Sequence, residues 1–251
     1  MPGPWPVLVP QRLGQHFLIK GSILERIAAA ACPQREPLVV EIGPGRGALT
    51  EKLLPRADRL IAVELDSYLA DHLCSRFPSL ELLHADVLAT DLTQWGRPVI
   101  AGNLPYYITS PIIEKVLRLD FTRAVFLVQK EVADRLTALP GSRDFGFLTV
   151  QTAVFSQARK LFEVKPSAFH PPPKVDSAVV LLEPRPPAVS DPEAFLRFAS
   201  LCFRHKRKTI RNNLAETYGK ECIDAWPEAS SRAEQLSLEQ LLDLYRRTLV
   251  G

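Results

Sequence analysis

Hydrophobic and polar positions divide the chain into three stretches. From "LVVEIG" to "FLVQ", short runs rich in β-branched residues alternate with segments whose apolar residues share one helical face, the pattern of βαβ units and a parallel sheet. Strands are predicted at Leu38 to Ile42, Leu60 to Glu64, near Leu80 to His84, Pro98 to Gly102 and Ala124 to Gln129. Ser22 opens a helix with Ile23, Leu24, Ile27 and Ala31 on one face, and Ser67 opens another with Tyr68, Leu69 and Leu73. Thr109 or Ser110 caps a third helix, and Pro111 in its first turn lacks only an amide proton that would have stayed unpaired. The second stretch holds "ARKLFEV" and "SAVVLLE", a closing pair of strands around a proline-rich loop. The proline-rich "EPRPPAVSDP" follows, read as a hinge. Beyond it lie only helical patterns: "PEAFLRFASLCFRHKRKTIRNNL", a short one near Ile223, and "LEQLLDLYRRTL". The expected architecture is α/β, a sheet with helices on both faces over residues 1–184, plus a small all-helical domain over residues 185–251.

Composition narrows the picture only slightly. With 251 residues, 46% hydrophobic and 24% charged, the chain can bury one large core and a smaller one. No apolar run approaches the roughly 18 residues of a membrane span. "MPGPWPVLVPQ" carries no charge before Arg12, so no signal or transit peptide is expected and the protein reads as cytoplasmic. Cys32, Cys74, Cys202 and Cys222 lie far apart without a C-x-x-C pair, which favours reduced thiols over disulfides or a metal site. A net charge of +3 neither demands nor excludes a polyanion, so the placement of charge matters more than its sum.

Chemistry gathers at the strand ends. "EIGPGRG" puts Gly43, Gly45 and Gly47 after the first strand and before a helix, where a ligand can approach the backbone closely. Glu64 stands 21 residues beyond Gly43 at the end of the second strand, where an acid can accept hydrogen bonds from both ribose hydroxyls. Asp86, in "HADVL" after the third strand, is equally a helix cap or an acceptor for an exocyclic adenine amine. Such sheets bind ligands outside the carboxyl ends of their strands, and a nucleoside-type cofactor is implied. The spacing G-x-G-x-G after Glu41 departs from the dinucleotide pattern G-x-G-x-x-G of a nicotinamide dehydrogenase and resembles the S-adenosylmethionine (SAM) loop of class I methyltransferases, a Rossmann-like fold.

The fourth strand ends in "IAGNLPYYITS". A ring-conjugated amine is a poor nucleophile because its lone pair is delocalised, so two acceptors must hold its hydrogens and leave the lone pair aimed outward. The Asn103 side-chain oxygen and the Leu104 carbonyl, its backbone biased to an extended form by Pro105, can each accept one. Tyr106 can stack on the base. Asn103-Leu104-Pro105-Tyr106 resembles the [DNS]-[PIL]-P-[YFW] motif of methyltransferases acting on exocyclic amines.

Together "LGQHFL", "VVEIGPGRGALT", "NLPYYITSPII", "FHPPPKVDSAVV" and "FRHKRKTIRNNL" resemble, in order and spacing, the small-subunit ribosomal RNA adenine dimethyltransferase family (KsgA type). The resemblance runs from about residue 11 to the C-terminus. It implies dimethylation by SAM of N6 on two adjacent adenines in the 3′-terminal hairpin of 16S rRNA, within an immature small subunit, by a monomer needing no metal or membrane. His16, Leu18, Gly43, Gly45, Glu64, Leu65, Asp86, Val87 and Asn103 would then line the cofactor site, with Asn103 also serving the target amine beside Leu104, Pro105 and Tyr106. Lys20 stands where the family is often acidic, and His16 where many members carry Asn. In "AFHPPPKVDS", three prolines stiffen a loop that can hold Phe169 as a platform against a flipped adenine, with core packing the plain alternative. Arg204, Lys206, Arg207, Lys208 and Arg211 form a basic helical run, either a solvated face or a grip on RNA phosphates. Within the same chemistry the rival is a 23S rRNA adenine methyltransferase of the antibiotic-resistance type. From another class it is an assembly checkpoint protein whose catalysis is dispensable.

Overall fold

A computed structural model describes residues 16–249 of the chain. Leu13 to Gln15, the start of the "LGQHFL" block, lie outside the described residues. The described chain opens with a two-residue strand, β1 (Phe17–Leu18), and a helix, α1 (Gly21–Ala31), and a one-turn helix, α2 (Thr50–Leu53), follows the glycine loop. Four further strands follow as expected, each slightly longer or shifted: β2 (Glu36–Ile42), β3 (Ala57–Glu64), β4 (Glu81–His84) and β5 (Val99–Asn103). After β6 (Arg123–Gln129) come β7 (Ser156–Val164), β8 (Phe169–His170) and β9 (Ser177–Pro184). The main sheet has seven strands in the order β4-β3-β2-β5-β6-β9-β7. Strands β4 through β6 run parallel, and β9 and β7 close the edge antiparallel.

Because successive strand residues point to opposite faces, one strand feeds two cores. Val125 and Leu127 pack with Ile27, Leu53 and Leu73 on one side, whereas Phe126 and Val128 pack with Ile112, Phe121 and Leu136 on the other. Gly102 permits the approach that aligns the site: a Cβ there would fall 2.4 Å from the Ile42 carbonyl oxygen.

Helix starts are set by neighbours of the expected residues. Asp66, not Ser67, caps α3 (Ser67–Arg76), its carboxylate accepting from the Tyr68 and Leu69 amides. The Thr109 hydroxyl donates to the Pro105 carbonyl at 2.9 Å, and α4 (Thr109–Val116) continues from a 3-10 turn over Tyr106–Ile108 without a side-chain cap.

Two helices have no counterpart in the sequence reading, α5 (Lys130–Leu136) and α6 (Phe147–Phe155). In α6, "FLTVQTAVF", residues 148–152 and Val154 are all buried, and a helix buried nearly all round, with Thr149, Gln151 and Thr152 among its covered residues, shows no amphipathic stripe. It is a shared wall. Leu148 joins the sheet's core, while Val150 and Val154 pack with Phe195, Phe198 and Tyr245 of the C-terminal helices.

The hinge expected of "EPRPPAVSDP" is therefore bridged by packing. Arg185 donates its backbone N–H to the Phe155 carbonyl at 2.8 Å, Asp191 caps α7 (Pro192–Cys202), and Arg118 pairs with Glu193 at 2.9 Å. The expected continuous helix from Pro192 also breaks. Residues 203–209 form a loop before α8 (Ile210–Tyr218), and then come α9 (Lys220–Asp224) and α10 (Leu238–Thr248). Buried Asn213 organises that loop, donating to the Cys202 carbonyl at 2.8 Å and accepting from the His205 amide at 3.2 Å. Thr209 accepts from the Asn212 amide and starts the new helix. Of the five basic residues, only Arg211 is helical.

Candidate active site

The carboxyl ends of β2, β3, β4 and β5 converge. In the loop after β2, Gly43, Gly45 and Gly47 all adopt positive φ, a region L side chains avoid. The loop is tied down from the next strand: the Gly43 amide donates to the Val63 carbonyl, and the Gly45 amide to Glu64 Oε2, both at 3.0 Å. Glu64 Oε1 accepts the Leu65 and Asp66 amides, each at 3.0 Å. An ionised carboxylate offers about four lone-pair sites, so one is left on Glu64 for a ligand hydroxyl. Burial raises the Glu64 carboxyl above its ordinary value, and the three backbone donors oppose that.

Beneath the loop, Glu41 is sealed from solvent with the Thr50 hydroxyl donating to it at 2.6 Å. Burial pushes it up to about 8, against the Thr50 hydrogen bond and with the charge of Glu64 adding to the rise.

Asp86 takes the cap reading. One carboxylate oxygen accepts the Leu88 amide at 2.8 Å, a local cap, while the residue is exposed and its second oxygen has no hydrogen-bond partner among the described residues. Leu65 is 48% exposed at the rim, an apolar surface where a planar ring can rest, and its carbonyl hydrogen-bonds His84 Nε2 at 3.1 Å. Val87 is buried in the core beside it.

At the end of β5, Asn103 Nδ2 donates to the His16 carbonyl at 3.1 Å, which leaves Oδ1 as the free acceptor. Leu104 donates its N–H to the Leu127 carbonyl, while its side chain is buried and its own carbonyl accepts nothing among the described residues. Two consecutive residues thus each keep an open acceptor. The Tyr106 hydroxyl shares a 2.6 Å hydrogen bond with Ser177 Oγ. Burial raises the Tyr106 phenol above its ordinary value, and Ser177 opposes the rise. The His16 ring tilts against Tyr106, centroids 5.7 Å apart, and its Nδ1 meets the Pro171 carbonyl at 2.9 Å.

Phe169 is placed otherwise than as an open platform. It is 3% exposed, paired in register with Leu18 and packed in the core under the site, which is the plain alternative raised for it. Leu18 is likewise a core residue. Phe17, which the sequence does not single out, is the residue of that segment reaching the glycine loop: a Cβ on Gly45 would come 3.1 Å from its ring, and Arg46 stacks on it at 4.5 Å. Ser177 is also missed by sequence reasoning, although it sits inside the quoted "FHPPPKVDSAVV" block.

The basic residues lie on the C-terminal helices' side. Lys206 donates to the Arg143 carbonyl at 2.7 Å, Arg204 pairs with Glu216 at 3.5 Å and Arg211 hydrogen-bonds Asp224 at 2.8 Å. Arg207 and Lys208 are exposed and form no ion pair among the described residues. No group of three or more His, Cys, Asp or Glu among the described residues is arranged to hold a metal ion, and none of their helices is long and apolar enough to cross a membrane.

A parallel sheet with an antiparallel closing edge, a glycine loop after one strand, an acid at the end of the next and Asn-Leu-Pro-Tyr after a third define the class I, Rossmann-like methyltransferase fold. Within that class the chain belongs to the ribosomal RNA adenine dimethylase family, whose pattern matches residues 9–248. It is 44% identical to the ribosomal RNA small subunit methyltransferase A of Acidobacterium capsulatum, covering 94% of this chain and 89% of that one. With the protein of the same name from Thermotoga maritima it shares 41% identity over 96% and 86%. A dimethyladenosine transferase from Plasmodium falciparum superimposes with a TM-score of 0.79 at 29% identity, covering 93% of this chain and 98% of the other. The 23S rRNA methyltransferase ErmE also superimposes, with a TM-score of 0.73 at 29% identity over 92% and 99%.

Proposed function

We propose that the chain is a SAM-dependent methyltransferase that dimethylates N6 of two adjacent adenines in the 3′-terminal hairpin of 16S rRNA, in an immature small subunit, acting as a cytoplasmic monomer. The observation that carries this reading is the pair of open acceptors, Asn103 Oδ1 and the Leu104 carbonyl, with the amide orientation fixed by the His16 carbonyl.

The cofactor site suits SAM on its donor set. Glycines at 43 and 45 leave the loop backbone bare, Glu64 keeps one acceptor site for a ribose hydroxyl, Asp86 offers its free oxygen to an exocyclic amine, and Leu65 supplies an apolar rim. When bound, SAM supplies an electrophilic methyl group on a sulfonium. The residues of this chain do the positioning. Asn103 and Leu104 hold the two amine hydrogens in the plane of the base so that the lone pair points out of it, and transfer gains mainly from this alignment rather than from a strong base. Tyr106 offers a ring face against which an extruded base can stack, worth about 1 to 3 kcal/mol, enough to hold a base but not to choose a sequence. Arg207 and Lys208, free of carboxylate partners among the described residues, are the cations best placed to meet RNA phosphates.

Methylation of 23S rRNA is the less favoured reading, because the curated relatives at about 40% identity carry the small-subunit name. The test is incubation with labelled SAM and undermethylated small subunits, large subunits or free rRNA, followed by mapping of the modified base. Label on two neighbouring adenines of the small-subunit RNA is the expected result. Label on 23S rRNA alone, or none, overturns the proposal.

A further inference from the structure

We infer that Ser177 is a positioning residue for the target base, acting through Tyr106; this rests on the function proposed above. Tyr106 sits in a short 3-10 turn, and its backbone does not by itself fix the plane of the ring. What fixes it is the hydroxyl's 2.6 Å bond to Ser177 Oγ, across 71 residues of sequence. Ser177 is a rigid anchor. It is fully buried, it begins β9, and it is held in register by Gln129 of β6 on one side and Val164 of β7 on the other.

A ring tied at its far end to β9, which is paired on both sides by β6 and β7, cannot swing when an extruded base comes against it. Strand β6 also supplies the Leu127 carbonyl that accepts the Leu104 N–H at 3.1 Å, so the stacking face and one of the two amine acceptors are referenced to the same strand. The His16 ring closes on Tyr106 from another direction and itself contacts the loop that leads into β9 through the Pro171 carbonyl. The serine therefore fixes the distance between stacking face and acceptors without touching the base. A hydroxyl needed only for packing would not be aimed at the one polar atom of the stacking residue.

The experiment is a double-mutant cycle on the full-length chain with undermethylated small subunits as substrate. Wild type is measured first, and absence of adenine methylation there rejects the function proposed above rather than the role of Ser177. Given an active wild type, Ser177→Ala and Tyr106→Phe are each expected to lower kcat by roughly three- to tenfold, the range of one lost neutral hydrogen bond, with SAM affinity unchanged. The double variant is expected to be no slower than the slower single one, because both changes remove the same bond. If Ser177→Ala folds poorly, Tyr106→Phe alone must still show the kcat loss. Multiplying effects in the double variant, a change confined to melting temperature, or full activity of Tyr106→Phe would each overturn the inference.

Discussion

The proposed cofactor side and the proposed target side of the site are wired differently. On the cofactor side, Glu64 draws its partners from Gly45, Leu65 and Asp66, at sequence separations of 19, 1 and 2. Asp86 caps Leu88 two residues on, and Glu41 is held by Thr50 nine residues on. The target side is assembled over long loops of chain: Asn103 to His16 spans 87 residues, Tyr106 to Ser177 spans 71, and His16 to Pro171 spans 155. A locally wired site forms with its own strand-loop-strand unit. The other exists only once the whole fold has closed, because its loop-closure entropy is repaid by packing elsewhere. On the proposed function, mutation should therefore separate cofactor binding from base alignment.

The largest effect expected is on the target side. Replacing Asn103 by Ala removes one of the two acceptors and should cut kcat about a hundredfold, the scale of losing one preorganised polar contact to a reacting group. SAM affinity and RNA affinity should change little. Titration of the variant with SAM showing a loss as large as that in turnover would mean that the two sides are one site and not two.

Glu64→Ala should act in the opposite sense. Losing a charge-assisted hydrogen bond costs about 1.5 to 3 kcal/mol, so SAM affinity should fall roughly tenfold to a hundredfold. The change also strips three backbone amides of their acceptor, so the melting temperature should drop as well. Turnover at saturating SAM is the discriminating measurement: if it falls as far as in Asn103→Ala, the separation fails.

The same contrast explains what could be read from sequence. The glycine loop, Glu64, Asp86 and Asn-Leu-Pro-Tyr are short-range patterns, and the strands that carry them were legible to within a few residues because each is a β-branched run between turn signals. Ser177 and Phe17 carry no local mark of their partners Tyr106 and Gly45, since register and loop path decide who meets whom. Phe169 was legible as a member of a stiff loop, with core packing only as an alternative, because its burial depends on pairing with Leu18 across 151 residues of chain. Helix α6 was lost because burial on all sides erases periodicity, and the basic helix was over-read because Asn213, a polar residue, is what breaks it.

Glu41, beneath the proposed cofactor side, ties the stability of the ligand-free fold to pH. Glu41 is raised from 4.5 to about 8 by burial. A folded state that binds a proton more tightly than the unfolded chain is stabilised below the unfolded value and loses that advantage as pH rises. Stability should therefore decline between about pH 4.5 and 8, and Glu64, also raised by burial, contributes with the same sign. Glu41→Gln keeps an acceptor for Thr50 and removes the titration, so its stability should depend less on pH over that window. Urea midpoints of both proteins from pH 5 to 8 check this, and parallel curves would take Glu41 out of the account.

The smallest effect expected lies outside both sides, on the loop between α7 and α8. Lys206 holds the Arg143 carbonyl and Arg211 is engaged by Asp224, so removing either disturbs structure as well as charge. Arg207 and Lys208 are the cleaner probes, being exposed and without carboxylate partners among the described residues. If both meet phosphates, Arg207→Ala with Lys208→Ala should reduce the slope of log affinity against log salt by about 0.9 per contact on duplex and about 0.7 on single strands. The loss should be the same for RNAs of different sequence, since such contacts read shape and charge. SAM affinity and the Asn103 dependence of kcat should both stay as in wild type, because neither wiring pattern reaches this loop. Affinity lines of wild type and double variant that coincide across salt concentrations would make the loop a solvated surface and move the RNA contact to the rim around Leu65, Tyr68 and Tyr107, which are about half exposed.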